Sequence, residues 1–138
     1  MDISTYHLIL WIMAVMGLFV FIALYFVDAG YGKFRTNRWG YSIDNKIGWV
    51  LMEAPALVPI IVANVMFTPN RLQLLFMALY ALHYVYRSFI FPSLLKGKSR
   101  MPLAIIAMGA GFNTMNSSLL CASIVVFPKD TYTDLCHY

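Results

Sequence analysis

The sequence predicts an all-α fold, a multi-pass transmembrane helix bundle with four spans in one membrane domain, residues 1–138. Three observations carry this. Of 138 residues, 61% are hydrophobic and 12% charged, where a soluble domain is about a quarter charged. Four apolar runs each reach the ~20 residues that a bilayer-crossing helix needs. The basic residues gather in alternate links, as they do in membrane proteins with a fixed orientation.

The first span, about 6–27, contains no Asp, Glu, Lys or Arg. The chain opens Met1-Asp2-Ile3 without a basic stretch, and this run is longer than a signal-peptide core, so it is expected to be retained. The second span, about 47–67, carries one charge, Glu53. The third, about 72–91, carries Arg87 and His83, and the fourth, about 101–127, is uncharged but polar at Asn113, Thr114, Asn116, Ser117 and Ser118. A soluble bundle would show charged outer stripes along its helices, and these runs have none.

The link between spans one and two holds Lys33, Arg35, Arg38 and Lys46; that between spans three and four holds Lys96, Lys98 and Arg100. The opposite side has Arg71 and Lys129. The positive-inside rule puts the first and third links in the cytosol and both termini on the lumenal or external side. The basic links are too short and mixed for a nucleic-acid surface; they fit orientation and attraction to anionic membrane lipid. Cys121 and Cys136 make no disulfide framework. No CxxC, HExxH or Cys/His cluster supports a metal, and no GxGxxG or GxxxxGK[ST] signals a soluble nucleotide fold.

Glu53 is the costly residue. A carboxylate at mid-membrane costs at least about 2.5–3.5 kcal/mol, so it needs a partner or a purpose. It lies about 9 Å inside the cytosolic start of span two, and Tyr84 about 10 Å inside the cytosolic end of span three, at 1.5 Å per residue. The two are expected at one level. Arg87 lies nearer the headgroups, able either to pair with Glu53 or to snorkel. Tyr80, His83, Tyr84, Arg87 and Phe91 follow helical spacing and form one stripe. Trp49 and Glu53 share a face of span two, and Asn113, Asn116 and Ser117 a face of span four, with Phe112 beside it. Polar groups in lipid turn inward, so the three stripes are expected either to line one cytosol-facing cavity or, on span four, to make interhelical hydrogen bonds. A carboxyl in an apolar site tends to stay protonated. Neutral Glu53 and Tyr84 would then both donate to one ligand oxygen, an arrangement suited to a carbonyl becoming an enolate. A proton-coupled transporter would use similar groups, but the repeats and paired broken helices of such folds are not evident in the sequence.

The stretches GYGKF (30–34), GWVLMEAPALVPI (48–60), HYVYRSFIFP (83–92), MPL (101–103), FNTMN (112–116) and YTD (132–134) resemble the steroid 5α-reductase family in order and spacing, over about residues 25–134. The resemblance implies a multi-pass enzyme of the endoplasmic reticulum, with a lumenal N-terminus, that uses NADPH to reduce the conjugated double bond of 3-oxo-Δ4 steroids or a related lipophilic substrate. It implies that Glu53 and Tyr84 are catalytic and polarise the carbonyl, that Trp49, Phe112 and His83 line the substrate pocket, and that Arg87 and Asn116 contact the cofactor. Family members continue through about three more spans, so the chain resembles the N-terminal part of a seven-span fold. Two departures fall on the cofactor side: Asn113 stands where relatives often have cysteine, and Ser117-Ser118 where glycine and an apolar residue are usual. The alternative is a non-catalytic truncated paralogue that binds sterol or associates with a full-length relative.

Overall fold

The computed structural model describes residues 3–27 and 39–125. GYGKF, YTD, Cys136 and the basic residues Lys33, Arg35, Arg38 and Lys129 lie outside them. The four spans are present as helical stretches Ile3–Ala23, Asn45–Met66, Arg71–Leu94 and Leu103–Val125.

Helix α1 (Ile3–Ala23) buries none of its residues. It has no polar stripe to turn inward, so its apolar surface suits lipid on every side. The other three spans form the bundle. Span two is not one regular helix. It comprises α2 (Asn45–Glu53), a 3-10 turn (Ala54–Ala56) and α3 (Leu57–Met66). Pro55 and Pro59 explain the break: neither offers an N–H, and each ring crowds the carbonyl four residues back. Span three breaks likewise, into α4 (Arg71–Val85), a π turn (Tyr86–Ile90) and α5 (Phe91–Leu94). Here Pro92 withholds the N–H that would reach Ser88, and the chain widens to a π turn just before it. Helix α6 (Leu103–Val125) has no internal proline and runs unbroken.

The ends of the spans are tied by polar chemistry. Asp44 caps α2, its carboxylate accepting from the Lys46 N–H at 2.9 Å. Asn70 and Gln73 form a reciprocal capping box at the start of α4, with bonds of 2.9 and 2.8 Å. The Gln73 amide also donates to the Ile124 carbonyl at 2.6 Å, joining the start of span three to the end of span four.

One feature departs from the all-α expectation. The two basic links pair as a short antiparallel sheet, β1 (Ser42–Asp44) with β2 (Arg100–Pro102), Ile43 opposite Met101. Arg100 donates to the Ser42 carbonyl at 2.7 Å, and the Leu103 N–H to the Tyr41 carbonyl at 3.0 Å. Three-residue strands carry no readable periodicity, and their pairing depends on a partner 58 residues away, so sequence pattern does not show them. The strand also takes Met101 and Pro102 out of the expected fourth span.

Above the sheet α2 and α6 approach closely. A Cβ on Gly109 would lie 2.5 Å from the Met52 Cγ and Sδ, so the missing side chain is what admits Met52. Toward the other membrane face Ile60, Ala63, Met77 and Cys121 form an apolar core between α3, α4 and α6.

Candidate active site

The two helix breaks bracket a polar cluster. Glu53 is the last residue of α2, immediately before the 3-10 turn, and Arg87 sits in the π turn of span three. The Arg87 Nε meets Glu53 Oε1 at 2.8 Å. The pair is lopsided: the Glu53 side chain is 1% exposed and that of Arg87 46%, so arginine reaches inward from the rim to an enclosed carboxylate. The Arg87 guanidinium also lies 5.6 Å from the centre of the Trp49 ring, and Trp49 packs edge-on against Phe91 at 5.2 Å. Arg87 thus pairs inward, the first of the two options open to it.

Asn113 of α6 completes the cluster. Its Nδ2 donates to Glu53 Oε2 and to the Met52 carbonyl, both at 3.0 Å. Both acceptors lack a proton to give, so they fix which end of the amide faces α2. The amide oxygen then faces span three, where the Tyr84 hydroxyl donates to it at 3.4 Å. Glu53 and Tyr84 come to one level, but through Asn113 and not by direct contact. Two N–H donors, one of them cationic, point at the Glu53 carboxyl, so both of its oxygens accept and Tyr84 is left as the hydroxyl donor.

The cluster extends outward along span three. Tyr80 packs at a tilt against Tyr84, with ring centres 4.8 Å apart. Asn116 donates to the Tyr80 hydroxyl at 3.4 Å, and Ser117 to the Ala56 carbonyl of the 3-10 turn at 2.5 Å. The fourth-span stripe therefore makes interhelical hydrogen bonds and supports the site at once.

The remaining sequence-named residues lie apart. Phe112 lines an apolar cavity of about 580 Å³ with Met16, Met52, Met108 and Met115, between spans one, two and four. His83 is exposed, sits edge-on to Tyr84 at 5.4 Å, and lines another cavity of about 500 Å³ with Tyr80, Leu120 and Ser123. Trp49 touches the ion pair itself. The residue that joins the site together, Asn113, stood in the sequence as one member of a polar stripe. The readable signal was its cost: an uncharged amide in an apolar span needs partners, though which ones only the fold decides. Among the described residues no group of three His, Cys, Asp or Glu approaches metal-binding geometry.

Fold and site together define an integral membrane protein with an ion-paired carboxylate and a phenol enclosed in its helix bundle. Sequence comparison adds the kinship. The chain is 31% identical to steroid 5-alpha-reductase DET2 of Arabidopsis thaliana over 125 residues, covering 82% of this chain and 46% of that protein. It is 29% identical to the Gossypium hirsutum protein of the same name, covering 95% and 53%. It is 26% identical to 3-oxo-5-alpha-steroid 4-dehydrogenase 1 of Bos taurus, covering 75% and 43%. The chain is a relative of the steroid 5α-reductases, and it spans about half the length of the curated relatives it matches. No family model matches it.

Proposed function

We propose that this chain forms the carbonyl-holding part of a membrane reductase acting on the conjugated double bond of 3-oxo-Δ4 steroids. The observation that supports it best is the enclosed chain Tyr84–Asn113–Glu53–Arg87. It sits where a lipophilic ketone dissolved in the cytosolic leaflet would bring its polar end. In this reading Tyr84 donates to the ketone oxygen. Reduction at the β-carbon sends negative charge to that oxygen, and a preorganised phenol stabilises it. Protonation at the α-carbon completes the saturated ketone. Glu53, paired with Arg87, fixes the Asn113 amide beside the phenol and so the shape of the site around Tyr84.

NADPH is the reductant implied by the likeness, and the two residues named for it each hold a partner within the bundle. Arg87 is engaged by Glu53 and stacked on Trp49, and the Asn116 amide donates to Tyr80. No step is assigned to either residue through the cofactor. The proposed setting is the endoplasmic reticulum with the N-terminus lumenal, following the basic links. The four spans are proposed to match the first part of a seven-span fold.

The test is NADPH-driven conversion of a 3-oxo-Δ4 steroid to its 5α product by membranes containing the protein. Tyr84→Phe and Glu53→Gln are each expected to lower turnover about 10²-fold or more, the usual loss on removing an oxyanion-stabilising donor or its support. Near-normal turnover in both sinks the reading. A second reading, a non-catalytic sterol-binding relative, is favoured by the contacts that Arg87 and Asn116 make within the bundle. Steroid binding by the chain without detectable NADPH binding would select it.

A further inference from the structure

Tyr84 has one hydroxyl proton, and in this structure it is spent on Asn113. The bond to Asn113 Oδ1 is 3.4 Å long, at the weak end for such contacts. The Asn113 oxygen is held toward the phenol because both N–H bonds of the same amide are anchored on Met52 and Glu53. Glu53, with an acceptor bond at each oxygen, offers no proton of its own. A ligand oxygen arriving at this cluster therefore meets an internal carbonyl that already occupies the phenol's donor.

Resting on the carbonyl site proposed above, we propose that Asn113 is a built-in competitor for the Tyr84 proton and so a specificity-determining residue. The exchange needs only rotation of the phenol O–H bond away from Asn113; the amide keeps both N–H contacts. Its consequence follows from acceptor strength. A neutral ketone is an acceptor comparable to a carboxamide, so trading one for the other gains little. An oxygen carrying the charge of an enolate is a far better acceptor, since charge-assisted bonds are roughly twice as strong. Asn113 thus costs the same in either state: it weakens binding of the neutral ketone and leaves intact the gain made as charge builds on the oxygen. It also keeps the phenol satisfied when a ligand with no oxygen binds, so such a ligand loses nothing at Tyr84.

The experiment uses the 138-residue chain in lipid nanodiscs and two probes, a 3-oxo-Δ4 steroid and the same skeleton lacking the oxygen at C3. The readout is the ratio of their dissociation constants. Asn113→Leu removes the competing oxygen at similar volume and is expected to raise the preference for the ketone about threefold, the average worth of one hydrogen bond between membrane helices. Asn113→Asp keeps an oxygen facing Tyr84, one that as a carboxylate accepts more strongly than the amide, and is expected to give no rise in the preference. In the ligand-free protein labelled with ¹³Cζ-tyrosine, the Tyr84 resonance, assigned by its loss in Tyr84→Phe, is expected to move in Asn113→Leu. An unmoved resonance overturns the proposal. So does an unchanged or smaller ketone preference in Asn113→Leu, or an equal rise in Asn113→Asp. The failure of the underlying carbonyl site has a different signature: wild type, Asn113→Leu and Tyr84→Phe then bind the two probes alike. That result removes the competition together with the site.

Discussion

The same three spans are built differently in their two halves. Toward the end that carries the two-stranded sheet, α2, the π turn and α6 meet through an ion pair, an asparagine amide and a phenol. Toward the other side, α3, α4 and α6 meet through Ile60, Ala63, Met77 and Cys121. The proline breaks in spans two and three fall at the junction. Below it the helices are positioned by directional bonds that fix particular atoms. Above it they are positioned by packing, which tolerates shape changes of similar volume. A bilayer gives little hydrophobic drive to either half, because lipid is as apolar as the core. The outer half is thus suited to hold the bundle together and the inner half to hold a few atoms in place. Each half predicts a different response to mutation.

The largest effect is expected from Arg87→Ala. It leaves the enclosed Glu53 carboxylate without its cation, and stranding one member of a buried pair costs about 3–5 kcal/mol; the partial exposure of Arg87 favours the lower figure. Adding Glu53→Leu should restore most of that stability, since an apolar pair replaces an ionic one at little net cost. Unfolding of the single and double variants in bicelles checks this. A double variant no more stable than the single would mean that the ion pair holds the inner half together, and the contrast between the halves would fail.

Next is Met77→Ala in the outer core, where Met77 is 2% exposed. The loss should be about 2 kcal/mol, at the low end for such truncations because lipid and not water is the alternative surroundings. Steroid affinity should stay unchanged. An equal loss of steroid binding would show the halves to be one cooperative unit.

Much of this division was legible in the sequence, and the reasons are specific. Glu53, Tyr84 and Arg87 stood out because ionisable and hydroxyl groups are rare in lipid, and helix rise alone put Glu53 and Tyr84 at one level. Span number and the uniform first span followed from run length and charge. Three things were hidden. The helix breaks were hidden because Pro55 and Pro59 were read within a continuous span and Pro92 as the start of a link, although each lacks the N–H that a regular helix needs. The sheet joining the basic links was hidden because its pairing is long-range. The acceptor role of both Glu53 oxygens was hidden because their donors, Arg87 and Asn113, arrive from two other spans.

A smaller effect belongs to the cap where span three begins. Asn70→Ala removes the acceptor for the Gln73 N–H and leaves the backbone N–H of residue 70 on the Gln73 side chain, which also reaches Ile124. About 1 kcal/mol is expected, with hydrogen exchange rising in the first turn of α4 and not at Tyr84. Faster exchange at Tyr84 as well would mean that the outer end of the span controls the inner site.

The smallest stability effect, and the sharpest test of the contrast, is Tyr84→Phe. It deletes one long hydrogen bond and keeps the ring that packs against Tyr80. Hydrogen bonds between membrane helices average about 0.6 kcal/mol, so unfolding should barely shift. Asn113 keeps its anchors on Met52 and Glu53, and the amide should stay where it is. Discrimination between a 3-oxo steroid and its 3-deoxy counterpart should nevertheless vanish, because the hydroxyl is the donor that a ketone oxygen would accept. Stability and ligand discrimination therefore separate at one atom. If instead Tyr84→Phe unfolds the bundle as readily as Met77→Ala, the phenol is a structural bond of the inner half, and the division of labour between directional bonds and packing is wrong.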